Sequence, residues 1–71
     1  MEYRVKFYEG YECEADVEAS NPEEAIKKVL NRDFTNYEET DGPSVTMISV
    51  FENQEKADKN EPLYEANNIM I

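Results

Sequence analysis

The sequence contains no histidine and a single cysteine, and each shortage excludes a class of chemistry. Without histidine, the usual side chain for general acid–base catalysis at neutral pH is missing, and Ser20 has no evident base to activate it. Cys13 cannot form an internal disulfide, and it falls on the inward face of a predicted strand, where a thiol is inert. We therefore predict that the chain is not an enzyme, with no catalytic residues, no metal site and no cofactor.

Basic residues and long apolar runs are also scarce. Seven Lys and Arg residues stand against 17 Asp and Glu residues, which gives a net charge of −10. The lack of a basic patch argues against direct binding to nucleic acid or to an anionic membrane. No apolar run is long enough for a signal peptide or a membrane helix, and no disulfide can form, which together favour a cytoplasmic protein.

The segment from Ser20 to Leu30 predicts a short amphipathic helix. Asn21 can cap the helix, Pro22 suits the first helical position, and Glu24 completes a capping box. The apolar residues form one stripe that must be buried, and they are Ala25, Ile26, Val29 and Leu30.

Before the helix, apolar residues alternate with charged ones from Glu2 to Tyr8 and from Tyr11 to Ala19, which predicts a β-hairpin. A three-residue loop, Tyr8–Gly10, with Gly10 in the left-handed conformation keeps the apolar residues on one face. The predicted pairs are Phe7 with Tyr11, Val5 with Cys13, Tyr3 with Ala15, Lys6 with Glu12, and Arg4 with Glu14.

After the helix, residues 33–43 read as a polar connection that Phe34 and Tyr37 anchor to the core. The segment Ser44–Glu52 is apolar on both faces, which is typical of an inner strand. Residues 53–60 read as a charged loop, and Glu61–Ala66 as a short edge strand.

These elements predict one α+β domain spanning residues 1–71, with the order β-β-α-β-β. The helix runs back along the second strand, so the third strand lies beside the first in a right-handed split β-α-β crossover. The result is a single antiparallel four-stranded sheet with the order 2-1-3-4, a half-ferredoxin-like fold. The helix covers one face of this sheet and the other face is expected to be open.

A V-x-F strand is followed by V-x-A-x-N-P-E-E-A-I-x-x-V and then by a hydrophobic strand, within residues 3–52. This pattern resembles the small DpnD/PcfM-like proteins of phages and plasmids. The resemblance implies an origin in a mobile element and brings no active site with it.

Carboxylates at alternate positions of the second strand are predicted to project from one face, about 6.6 Å apart, a spacing similar to that of successive phosphates. More carboxylates crowd the connection after the helix, where their spacing does not fit a calcium loop and indicates a solvated acidic loop. The predicted binding residues are Glu12, Glu14, Asp16, Glu18, Glu38, Glu39 and Asp41.

We interpret the chain as a small acidic interaction protein that binds a basic protein surface. In its more specific form, it imitates nucleic acid and inhibits a nucleic-acid-binding protein, as anti-CRISPR and anti-restriction proteins do. The alternative is a cytosolic accessory domain or a homodimerising domain that associates through the open sheet face, so that the protein is a monomer or a weak homodimer.

Overall fold

The sheet of this protein has five antiparallel strands in the order β3-β2-β1-β4-β5, and it packs against two helices. The structure is a computed structural model that describes residues 1–40 and 47–67. Its elements are β1 (Glu2–Tyr8), β2 (Glu12–Glu18), α1 (Pro22–Leu30), β3 (Thr35–Glu39), β4 (Met47–Phe51), α2 (Gln54–Asp58) and β5 (Tyr64–Asn67). Neither helix in these two ranges is long and apolar enough to cross a membrane.

The α+β class and the single antiparallel sheet are confirmed. The four predicted strands correspond to β1, β2, β4 and β5, and they lie in the predicted spatial order. The strand count is wrong, because residues 35–39 form a fifth strand beside β2. Since α1 leads into β3 rather than directly into β4, the half-ferredoxin description holds only for the order of the other four strands.

The β1–β2 hairpin has the predicted loop length but a different register. Its loop comprises residues 9–11, and Gly10 has the predicted positive φ, at 89°. The observed pairs are Phe7 with Cys13, Val5 with Ala15, Tyr3 with Val17, Lys6 with Glu14, and Arg4 with Asp16. The predicted register is wrong by two residues. Alternation cannot detect such a shift because every side chain stays on its face. The observed register extends the ladder to Glu18, which pairs with Glu2.

Helix α1 begins as predicted. The side chain of Asn21 accepts a hydrogen bond from the backbone N–H of Glu24 at 2.8 Å, which satisfies one of the unpaired amides of the first turn. The helix ends in a Schellman motif, with Arg32 in the left-handed conformation at φ 59°. Its buried residues are Ala25, Ile26 and Val29, whereas Leu30 is 37% exposed.

The main core lies between α1 and the sheet. Its members are all buried, and Phe34 and Tyr37 pack against it as predicted. The core comprises Tyr3, Val5, Phe7, Cys13, Ala15, Val17, Ala19, Ala25, Ile26, Val29, Ile48 and Val50. Burial of this apolar surface is the principal stabilising term for the fold.

Helix α2 replaces the charged loop that the sequence predicted for residues 53–60. Asn53 caps its N-terminus by accepting a hydrogen bond from the backbone N–H of Lys56, and Asn60 takes the left-handed conformation after its last turn. On the sheet face opposite α1, Phe51 and Ala57 are both fully buried. This packing explains why β4 is apolar on both faces, and it means that the predicted open face is partly covered.

Strands β4 and β5 are shorter than predicted in the described residues. β4 is an inner strand between β1 and β5, and β5 is an edge strand, as predicted. The predicted strand residues 44–46, the turn at Asp41–Pro43 and residues 68–71 lie outside the described residues.

Candidate functional site: an acidic edge around Arg4

The centre of the candidate site is Arg4, a buried cation on the α2 side of β1. Its Nε donates to Glu14 Oε1 at 3.1 Å, and its Nη1 donates to Asp16 Oδ1 at 3.1 Å. Nη1 also donates to the backbone oxygen of Asn36 at 3.2 Å, and Nη2 donates to Glu38 Oε1. One guanidinium therefore holds together three carboxylates from two strands, and we name Arg4, Glu14, Asp16 and Glu38 the Arg4 cluster.

The Arg4 cluster changes from buried to exposed across its width. Arg4 is 5% exposed and Glu14 is 8% exposed, while the side chain of Glu38 on β3 is 58% exposed. Burial by itself lowers the pKa of the Arg4 guanidinium, but hydrogen bonds to Asp16 and Glu14 outweigh this effect, so the pKa is raised and the group stays charged. One cation and three carboxylates leave the cluster with a net charge of −2.

A small open cleft of about 230 Å³ adjoins the Arg4 cluster. It is lined by Glu2, Tyr3, Arg4, Asp16, Asn53 and Gln54. Gln54 Nε2 lies 3.4 Å from Glu14 Oε1, so α2 contributes a polar contact to the cluster. The cleft is smaller than the usual small-molecule pocket of roughly 300 to 1,000 Å³, which favours a surface that contacts a macromolecule.

Strand β3 carries carboxylates to the edge of the sheet. Its pairing with β2 shifts register between Glu14 and Asp16, and Asn36 has a positive φ of 51° at this irregularity. The Asn36 side chain donates to Asp16 Oδ2 at 2.7 Å, which fixes the bulged backbone. Glu38 lies on the Arg4 side of the sheet, and Glu39, the next residue of β3, lies on the opposite side. We name the side chains of Asp16, Glu38 and Glu39 at this sheet edge the acidic edge.

The predicted row of carboxylates on β2 is not a solvated row. Glu12 and Glu14 are each only 8% exposed. Strand β3 lies alongside β2, and Gln54 of α2 contacts Glu14. Asp16 is half-buried and contacts Arg4. The sequence predicted that Arg4 would contact Glu14, and this contact exists, although the two residues lie diagonally rather than directly opposite.

The remaining predicted site residues lie in different places. Glu18 is exposed, and its Oε1 is 2.7 Å from the N-terminal ammonium, so it pairs with a cation other than Arg4. Glu38 and Glu39 are neighbours on β3 and both are exposed. Asp41 lies outside the described residues. The structure thus brings together Glu14, Asp16 and Glu38.

Most cations of the chain are engaged in contacts within it. Besides Arg4, Lys6 Nζ donates to the backbone oxygen of Ala57 and lies 5.2 Å from the Phe51 ring centroid. Further cation contacts are Arg32 with Glu9, Lys28 with Glu24 and the Glu18 carbonyl, Lys56 with Glu61, and Lys59 with Glu55. The surplus of carboxylates therefore dominates the surface potential.

The thiol of Cys13 lies beneath aromatic rings on the other face of the sheet. Burial raises its pKa, which keeps it protonated and unreactive at neutral pH. Tyr37 caps it: hydrogen bonds to Tyr11 and to Cys13 raise the pKa of the Tyr37 hydroxyl. The Phe34 and Tyr37 rings stack with centroids 5.7 Å apart and hold β3 against the core.

In residues 1–40 and 47–67, no group of three or more Asp, Glu, Cys or His side chains has an arrangement that could hold a metal ion.

The residues that sequence reasoning missed are Asn36 and Gln54, which contact carboxylates of the Arg4 cluster. Asn36 had a usable signal, because asparagine tolerates the left-handed conformation better than most residues.

Comparisons of the chain with protein-family models, with curated proteins and with solved structures find no significant match.

Proposed function

We propose that the protein is a non-enzymatic, cytoplasmic interaction protein that binds a basic surface of another protein through its acidic edge. The observation that carries this proposal is the arrangement of Asp16 and Glu38 around one buried guanidinium. Glu39 adds an exposed carboxylate at the same edge, on the opposite face of the sheet. The resemblance to DpnD/PcfM-like proteins supports an origin in a phage or another mobile element.

Preorganisation supports binding at this edge. Asp16 and Glu38 are held by Arg4, so they lose little side-chain entropy when they meet a cation of a partner. Because one guanidinium pairs with three carboxylates, Arg4 neutralises only part of their charge. Lys or Arg residues on a partner would therefore find a negative surface of fixed geometry, which increases the rate and specificity of association.

Imitation of nucleic acid is the more specific form of this proposal. The burial of Glu12 and Glu14 removes two members of the predicted row, so the imitation would involve the carboxylates of the acidic edge. Competition by DNA or RNA for the same partner tests this form separately. If neither competes, the proposal that the protein imitates nucleic acid is wrong. Binding to a basic surface is tested separately by the following experiment.

The test begins with affinity capture and identification of the partner, followed by titrations of the purified pair. Affinity should fall steeply as the salt concentration rises, because exposed charge pairs are screened. The double variant Glu38→Gln with Glu39→Gln should weaken binding by about tenfold or more, which corresponds to about 1.4 kcal/mol of binding energy.

A matched control separates the acidic edge from net charge. The variant Glu52→Gln with Glu55→Gln also changes the net charge from −10 to −8. All four glutamates are exposed, and each pair has one member in an ion pair: Glu55 with Lys59 in the control, and Glu38 with Arg4 in the test. The control should bind like the parent. An affinity that does not change with salt, or equal losses in both double variants, would contradict the proposal.

A further inference from the structure

Strand β5 is a short edge strand that carries one exposed carboxylate, Glu65, and in the described residues its pairing with β4 has no bulge. In the described part of the chain, its single neighbour is β4, and four consecutive residue pairs join the two strands without a register shift. Native proteins usually protect such edges with bulges, charges or a covering segment. The opposite edge at β3 has both a bulge and adjacent glutamates, so the two edges differ in their capacity for strand pairing.

Two large hydrophobic residues are exposed at the β5 edge. Leu63 and Tyr64 are 52% and 40% exposed, respectively, although both are large hydrophobic residues. A groove of about 180 Å³ lies between α1 and β5, and its lining residues are Glu23, Ile26, Lys27, Tyr64 and Ala66. A partner strand beside β5 would cover this groove and remove apolar surface from water.

The charges at the rim of this groove indicate which partner fits. Among the seven cations, all of which lie in the described residues, Lys27 is the one that makes no ion pair or hydrogen bond there. It shares the rim with Glu23, one helical turn earlier. This rim therefore carries both signs, in contrast to the acidic edge.

We propose that a second copy of this chain pairs with β5 in antiparallel orientation and forms a homodimer with one continuous sheet. A twofold axis perpendicular to the sheet keeps α1 of both copies on the same face and reverses its direction. The Glu23 end of one rim then faces the Lys27 end of the other, so the two rims are complementary in charge. The two grooves merge into one apolar trough lined by both copies of Tyr64.

Repulsion between two chains of charge −10 gives this dimer a distinctive salt dependence. Raising the salt concentration from about 0.1 M to 1 M shortens the Debye length from about 10 Å to 3 Å, so the repulsion between copies is screened. Self-association should therefore strengthen with salt, whereas the proposed binding to a basic partner weakens. The dimer does not depend on that proposed function, and opposite salt responses distinguish the two.

Sedimentation equilibrium of the full chain over a range of protein concentrations tests the dimer. The average mass should rise from 8.3 kDa towards twice that value, and it should do so at lower protein concentration in high salt. The variant Tyr64→Asp should stay monomeric, because it places a carboxylate in the apolar trough. Lys27→Glu should also reduce association, because both rims then carry only negative charge.

Two matched controls locate the interface. Tyr11→Asp makes the same change at a tyrosine of similar exposure, 45%, far from β5 along the sheet, and Lys59→Glu matches Lys27→Glu in charge. Both controls should dimerise like the parent. The proposal is overturned if the parent keeps its monomer mass at the highest concentration and salt, or if the control at Tyr11 loses association as fully as the variant at Tyr64.

Discussion

The two edges of the sheet present different surfaces. At β3 the backbone is bulged, Asn36 is left-handed, and carboxylates held by Arg4 cover the approach. At β5 the pairing is regular and the exposed residues include the large hydrophobic residues Leu63 and Tyr64. The first edge offers charged side chains and obstructs strand pairing, and the second offers backbone and apolar surface.

This difference places the two proposed binding modes at opposite edges of the sheet. The buried Arg4 concentrates carboxylates at one edge without the repulsion that three unpaired charges would create. Lys27 and the apolar groove lie at the other edge. Each edge can therefore be altered with little effect on the other, which the following variants exploit.

The largest expected effect comes from removing the cation of the Arg4 cluster. Arg4→Met leaves Glu14 and Asp16 close together with no counter-ion and should lower the free energy of unfolding by about 3 to 5 kcal/mol, measured by urea denaturation. Arg32→Met is the matched control, because the Arg32 side chain that pairs with Glu9 is 58% exposed. This variant should change the free energy of unfolding only slightly. Equal losses in the two variants would mean that the Arg4 cluster has no special role.

The next variant compares the anchoring of the two edges. Tyr37→Ala removes a half-buried ring that packs on Phe7 and Phe34, and it should cost about 2 kcal/mol and loosen β3. Tyr64→Ala at the β5 edge should cost less than about 1 kcal/mol, because Tyr64 is substantially exposed. Thermal or urea unfolding measures both losses of stability. A larger loss for Tyr64→Ala than for Tyr37→Ala would contradict the stronger anchoring of β3.

A smaller effect is expected at the bulge of β3. Asn36→Val should cost about 1 to 2 kcal/mol, because a β-branched residue is strained at a positive φ and the hydrogen bond to Asp16 is lost. Asn36→Gly retains the backbone conformation and should cost less. If valine and glycine have equal effects on urea unfolding, the left-handed conformation does not contribute to the stability of this edge.

The sequence predicted the parts of the fold that periodicity and capping determine. Alternation identified β1 and β2, and a β-branched and aromatic run that is apolar on both faces identified β4. The capping residues and the apolar stripe identified α1. Strand β3 was not predicted because Thr35–Glu39 has one apolar residue in five, so the strand depends on backbone pairing with β2. Helix α2 was not predicted because five residues are too few to show a clear hydrophobic periodicity, although Asn53 and Asn60 mark its two ends.

The candidate site was predicted only in part, because local patterns do not reveal which elements lie beside a strand. The contact between Arg4 and Glu14 follows from the hairpin alternation, which also gave the face of the β2 carboxylates. The contacts of Arg4 with Asp16 and Glu38 were not predicted. Burial of Glu12 and Glu14 depends on the neighbouring β3 and α2, which the local pattern did not reveal. A solvated row was therefore predicted where the structure has a partly buried ion-pair cluster.

Hydrogen exchange measured at low and high protein concentration tests the difference between the edges most directly. Peptides that cover β5 should gain protection as concentration and salt rise, because a second copy pairs with this strand, while peptides that cover β3 should exchange at unchanged rates. Protection that appears at β3, or that rises equally at both strands, would contradict the assignment of one edge to strand pairing and the other to charge.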